Sequence, residues 1–216
     1  GFAQIELEKQ HPGAVAMFWA GCGADQNPLP RRSVELAQQY GKQLAQAVDQ
    51  TLAGELQPLQ GRLRSAYEEI DLPLGELPSR ARLEEDRQGD NRFAARRAEL
   101  LLQQLDKEGQ LAARYPYPVQ TWRLGKQLTW VILGGEVVGD YSLRLKDELG
   151  PGTWVAGYAN DVMAYIPSRR VLREGGYEGA SSMVYYGLPT VWSPAVEELL
   201  IEQVHRQAKQ TRPKSN

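Results

Sequence analysis

The sequence is poor in the residues from which catalytic centres are most easily read. Cys22 is the one cysteine in 216 residues, so neither an intramolecular disulfide nor a cysteine-rich zinc module can form, although this leaves the cellular compartment open. There are two histidines. His11 lies in a turn and His205 in a helical pattern, and neither has a second His or Cys at ligand spacing. No His-Glu-x-x-His pair, Gly-x-Ser-x-Gly elbow or phosphate-binding glycine loop occurs, and Cys22 has no partner in sequence that would make it a nucleophile. The longest apolar runs, residues 14–20 and 129–133, fall far short of the roughly 20 residues that span a bilayer. Charge of one sign is not in surplus either, with 25 Lys and Arg against 27 Asp and Glu and a pI near 5.8. No global basic field exists to gather phosphate backbones, so nucleic acid is not expected as a partner.

What is present describes an ordinary globular chain. Hydrophobic residues make up 42% and charged residues 24%, and a chain of this length can bury ~70% of its unfolded surface. Residues 3–10 read as the end of a helix stopped by His11-Pro12-Gly13, and residues 14–20 as a short buried strand that empties into a loop rich in glycine and proline. Ser33 caps a helix with Val34, Ala37, Tyr40, Leu44, Val48 and Leu52 on one face. Residues 59–74 alternate as a strand near a sheet edge. Residues 79–114, with eight basic and seven acidic side chains, read as solvent-facing helices. A hairpin is expected over 119–124 and 128–133, a short helix from Val138 to Leu149, a strand over 154–158, and a last helix opened by Ser193-Pro194. The alternation of strands and helices predicts an α/β fold, a mixed sheet flanked by helices, spanning residues 1–208 with a polar tail over 209–216.

Three loops carry polar groups at strand ends, where α/β folds place their clefts. They hold Asp25, Gln26 and Asn27; Glu136; and the segment from Asn160 to Tyr177. Glu136 suits a hard oxygen ligand or an acid/base, and equally a carboxylate that accepts backbone N–H groups at a helix start. Tyr165 and Tyr177 could ligate a metal or donate to an oxyanion, or could simply pack. Eight of the ten tyrosines fall at or after residue 115, so the pocket walls are expected in the C-terminal half.

Taken together, the segments Phe18-Trp19-Ala20-Gly21-Cys22-Gly23-Ala24-Asp25-Gln26-Asn27-Pro28, Gly134-Gly135-Glu136, residues 159–169 and Glu174-Gly175-Gly176-Tyr177-Glu178-Gly179 resemble the neutral/alkaline, non-lysosomal ceramidase family. The resemblance implies the C-terminal portion of a larger α/β catalytic domain and a zinc-dependent hydrolase that cleaves the amide of N-acylsphingosine, or of a related N-acyl lipid, to a sphingoid base and a fatty acid. It implies Glu136 and Tyr165 as zinc ligands, with two further His ligands in segments preceding this one, and Tyr177 as the group that stabilises the oxyanion. Asp25 and Asn160 are the implied substrate-binding residues. The family's Gly-Asp-x-Ser-Pro motif has a serine regarded as a nucleophile, and Asn27 stands in its place. Catalysis would therefore rest on zinc-bound water, with Asn27 as a donor to substrate or oxyanion. The same substitution motivates the alternatives, a lipid- or carbohydrate-binding domain without turnover, or a zinc hydrolase of another amide or ester. Family habit further implies export, with peripheral rather than transmembrane contact with lipid.

Overall fold

The computed structural model describes residues 1–213. Its centre is a four-stranded sheet in the order β1 (Leu63–Pro73), β2 (Arg114–Leu124), β3 (Leu128–Leu133) and β5 (Thr153–Ala156). The first two pairs are antiparallel, and β3 and β5 run parallel, so the sheet is mixed as expected. β1 pairs only with β2 and so lies at an edge of the sheet, as its alternation suggests. Between β3 and β5 the chain makes a crossover through β4 (Glu136–Val137) and helix α5 (Gly139–Leu149). β4 leaves the main sheet and pairs in parallel with β6 (Tyr165–Ile166).

The core lies between the sheet and helices α5 and α8 (Val196–Gln210), around Leu72, Tyr117, Val119, Leu133, Tyr141, Leu145, Trp192 and Leu200. Those side chains supply the apolar burial that drives folding, at ~25 cal/mol per Å² removed from water. Helices α3 (Arg80–Gln88) and α4 (Arg92–Glu108) are charged outside, as their sequence suggests, yet bury a small core of their own from Leu83, Ala98, Leu101 and Leu102.

Two expectations fail. Residues 14–20 do not form a strand: the run is irregular and open, with Val15, Met17 and Phe18 exposed, Met17 to 89%. A strand needs a ladder partner, and here the backbone finds one only at its end, where Gly21 bridges Ala156. Trp19 is the residue of the run that docks, stacking on Trp154 and tilted against Trp130 on the sheet. The tail also starts later than residue 209, because α8 continues to Gln210 and Thr211 is buried with its hydroxyl donating to the Gln207 carbonyl. Residues 214–216 lie outside the described residues.

Helices α1 (Phe2–Gln10) and α2 (Val34–Leu52) pack on each other. Gly41 permits the close approach, since a β-carbon there would collide with Phe2. The apolar side of α2 stays open at Val34, Leu44 and Leu52.

Helices α5 and α8 are tied by one cation. The Arg144 guanidinium donates to Glu148 at 2.7 Å, Glu197 at 2.8 Å and Glu198 at 2.9 Å, and His205 meets the other oxygen of Glu148 at 2.5 Å. The Arg144 hydrogen bonds hold the Glu198 carboxyl below the usual range; at Glu148 partial burial opposes the shift, and Arg144 and His205 prevail. Arg144→Met leaves three carboxylates facing one another and is expected to cost about 2 kcal/mol, read as a lower urea midpoint at unchanged slope.

Candidate active site

The site is assembled from three short pieces of backbone held at one end of the sheet. Gly135, at φ 72°, turns the chain out of β3. The buried Tyr117 hydroxyl donates to the Gly134 carbonyl at 2.7 Å and fixes that turn. Beyond it, β4 pairs with β6 so that Glu136 stands directly beside Tyr165. Adjacent residues in a parallel ladder project to the same face, about 4.8 Å apart at the backbone, so this register brings a carboxylate and a phenol together. The Trp192 indole N–H, donating to the Tyr165 carbonyl at 2.8 Å, holds the second strand in place.

Around Glu136 the tyrosines close in. The Tyr186 hydroxyl donates to its Oε1 and the Tyr158 hydroxyl to its Oε2, the latter at 3.2 Å. Tyr158 sits in the left-handed region at φ 56°, as does Asn160 at φ 67°; the loop after β5 therefore carries local strain of a kind common at functional sites. Tyr177, on a π-helical turn (Tyr177–Ser181), lays its ring 5.4 Å from that of Tyr165, edge to face. Burial, reinforced by the adjacent Glu136 charge, raises the phenol pKa of Tyr165 and of Tyr186 and pushes that of Tyr158 up to about 12. All three are therefore neutral donors at physiological pH.

Glu136, Tyr158, Tyr165 and Tyr177 line a cavity of about 450 Å³ together with Gly23, Ala24, Gln26, Asn27 and Arg31 of the loop before α2 and with Glu178 beside Tyr177; Tyr186 reaches Glu136 from outside that lining. Four of the residues expected from sequence thus meet in one place: Asn27, Glu136, Tyr165 and Tyr177. Asp25 and Asn160 do not join them on the cavity wall. The Asp25 carboxylate turns back to accept the Gly139 N–H at 2.8 Å, capping α5, and lies 3.9 Å from Arg170. Asn160 donates to Gln120 at 3.3 Å, and its neighbour Asp161 accepts from Tyr115 at 2.7 Å, which ties the loop after β5 to β2. Both are positioning groups in this arrangement. Sequence reasoning missed Tyr158, Tyr186 and Arg31. Tyr158 ends the predicted strand over 154–158 and could have been read from its place, whereas nothing local marks Tyr186.

Neither histidine lines the cavity: His11 pairs with Asp49 and His205 with Glu148. Among the described residues no cluster of three or more His, Cys, Asp and Glu side chains is arranged to hold a metal. Glu136 and Tyr165 are two converging oxygen donors. Their chemistry fits part of a zinc shell, which takes N and O ligands, and does not complete one.

The fold has known counterparts. It is similar to neutral ceramidase from Pseudomonas aeruginosa, with a TM-score of 0.63 and 16% identity over the whole of this chain and 41% of that one. A second ceramidase structure, in complex with C2, aligns at a TM-score of 0.60 and 16% identity, covering 43% of its chain. The chain thus has the fold of part of a neutral ceramidase, which bears out the mixed α/β class and the resemblance read from the three loops at the level of fold. It spans about two-fifths of the length of these structures. No family model matches the sequence, and neither does any curated protein.

Cys22, beneath the loop of Asn27, is buried, and burial pushes its thiol up to about 12 against a slight opposing pull from Lys146. It is therefore expected to resist a disulfide reagent at pH 8 in the folded protein and to react at once in denaturant. A raised folded-state pKa means that the folded state holds the proton more tightly. The associated stability is full below pH 9, the unfolded value, and is lost as pH rises towards 12, which denaturant midpoints across that range measure.

Proposed function

We propose that this chain supplies the carboxylate and phenol half of the metal centre of an amide hydrolase of neutral ceramidase type. The observation that carries the reading is the register of β4 and β6, which sets Glu136 beside Tyr165 under the Tyr177 ring on a ceramidase fold. Two further nitrogen ligands from histidines outside this chain would complete a shell with one open position. Zinc held there would polarise the substrate carbonyl and lower the pKa of a bound water to about 7.

The roles of the chain's own residues follow from their places. Tyr158 and Tyr186 donate to the two oxygens of Glu136 and fix the direction of its lone pairs. Tyr177, half exposed on the cavity wall, would donate to the carbonyl oxygen as negative charge develops. Asn27, which lines the same cavity, would serve as an amide donor. An amide is not an acyl acceptor, so the reading uses water rather than a side-chain nucleophile. The proposed substrate is N-acylsphingosine or a related N-acyl lipid. Among the described residues no helix is long and apolar enough to cross a membrane; export and peripheral lipid contact belong to the proposal. Asn27 also favours a second reading, a ceramidase-like domain that binds its ligand without turnover.

Zinc analysis of the protein that carries this chain, purified without chelator, tests the proposal. Glu136→Gln and Tyr165→Phe are each expected to lower bound zinc at least tenfold, and full retention in both rejects the ligand assignment. Tyr177→Phe is expected to keep its metal and lose about 100-fold in kcat on a short-chain N-acyl substrate, as the loss of one oxyanion donor does. Zinc binding with no turnover of any amide or ester selects the second reading.

A further inference from the structure

A second cavity, of about 540 Å³, opens at the other end of β3 from Glu136 and takes no part in the site described above. It lies between the loop that enters β1 and the turn that joins β2 to β3. Three cations line it, Arg62, Arg64 and Lys126, together with the amide side chains of Gln57, Gln60 and Gln127. Its lining, among the described residues, includes no Asp or Glu. Elsewhere on the fold arginines are paired, Arg80 with Asp106, Arg97 with Asp86 and Arg170 with Asp140. Among the described residues, none of the three cations in this cavity has a carboxylate within 4.0 Å.

The chain itself holds the walls in place. The Gln127 side chain joins the two segments, its Oε1 accepting the Gln60 N–H at 3.0 Å and its Nε2 donating to the Pro58 carbonyl at 3.2 Å. Gly125 approaches so closely that a β-carbon there would strike the Gln60 carbonyl oxygen. The strand register adds to the concentration of charge. Arg64 stands directly opposite Arg123 in the β1–β2 ladder, where like charges repel. Arg123 turns towards the end of α8 and donates to the Ala208 carbonyl at 3.5 Å, a favourable place for a cation. Burial there, with the neighbouring Arg212 charge, lowers its pKa. Part of the Arg123 charge is thus met by a helix end, and among the described residues no such group meets Arg62, Arg64 or Lys126. Gathering cations at one corner of a chain whose net charge is −2 is unfavourable without a counter-charge, and a bound anion offsets it.

Charge and shape select the anion. A monocarboxylate would neutralise one positive charge of three. A phosphoryl group carries about two negative charges near neutrality and presents several acceptor oxygens, which an arginine fork engages in pairs. The amides of Gln57 and Gln60 add neutral donors for its remaining oxygens. A concave site of this size fits a small molecule better than a flat surface. We infer that Arg62, Arg64 and Lys126 form a binding site for a soluble, phosphate-bearing small molecule. The site is separate from the Glu136 cavity and does not depend on the function proposed above.

Calorimetric titration with inorganic pyrophosphate at low ionic strength, on the protein that carries this chain, tests the site. The wild type is expected to bind, with an affinity that falls as salt is raised. Arg64→Ala and Lys126→Ala should each weaken binding about tenfold. Arg64→Lys keeps the charge and loses the fork, so it should weaken binding only about threefold, which separates lost recognition from lost folding. Glu136→Gln and Arg80→Ala, the latter at a surface pair with Asp106, should leave the affinity unchanged. No binding by the wild type, undiminished affinity in both Arg64→Ala and Lys126→Ala, or acetate bound as tightly as pyrophosphate overturns the site. Capture by phosphatidylglycerol vesicles without pyrophosphate binding, lost in the same variants, also overturns it and makes this corner a membrane contact. The readout involves neither zinc nor hydrolysis, so a failed metal assignment at Glu136 leaves this site standing.

Discussion

Two residues of parallel pairing organise the working end of this protein. β4 and β6 are the shortest strands in the fold, and their ladder places Glu136 against Tyr165 and Val137 against Ile166. Pairs alternate in side, so the same two steps aim a carboxylate and a phenol into the cavity and drive two fully buried aliphatic side chains into the core. A slip of one residue would exchange the faces, burying the carboxylate and exposing the valine. The register is therefore secured by hydrophobic burial, and the chemistry of the site is carried by it.

The surroundings of that pair are built to hold it still. Tyr117 and Trp192, both buried, each spend their polar tip on a backbone carbonyl flanking the two strands. Asp25 caps α5 immediately after β4, and the Ala24 N–H donates to the Val137 carbonyl at 3.2 Å, so the loop that carries Asn27 is fastened to the strand that carries Glu136. Asp25 and Asn160 each use a polar group in such a tie, to Gly139 and to Gln120. These ties fix the loop and the strand that line one cavity, which a static site needs if donors are to meet a reacting carbonyl in a fixed geometry.

Much of this was legible in the residues. Periodicity marked the hairpin of β2 and β3, the helix after Glu136 and the final helix, because each has a clear apolar face and an explicit glycine, proline or serine boundary. The motif segments marked Glu136, Tyr165, Tyr177 and Asn27, and the fold brings those four together. Tyr186 was invisible because it reaches Glu136 only through the turn of the chain after the π-helical segment, a contact 50 residues long in sequence. At Asp25 the sequence leaves the role open, because a carboxylate that caps a helix and one that binds substrate look alike until the helix start is located, and here it accepts the Gly139 N–H at the start of α5. The run over residues 14–20 has the composition of a buried strand but no ladder in these surroundings; it lies open except where Trp19 docks on Trp130 and Trp154, and the apolar side of α2 is also uncovered. Composition reports what a segment can do, and pairing depends on what lies next to it.

In the proposed function, Glu136 and Tyr165 bind one metal ion together. Anomalous diffraction at the zinc edge, on crystals of the zinc-loaded protein that carries this chain, tests it most directly. A single strong peak is expected within about 2.2 Å of a Glu136 carboxylate oxygen and of the Tyr165 phenol oxygen. A peak elsewhere, or a loaded protein in which either oxygen stays beyond coordinating distance, would contradict it.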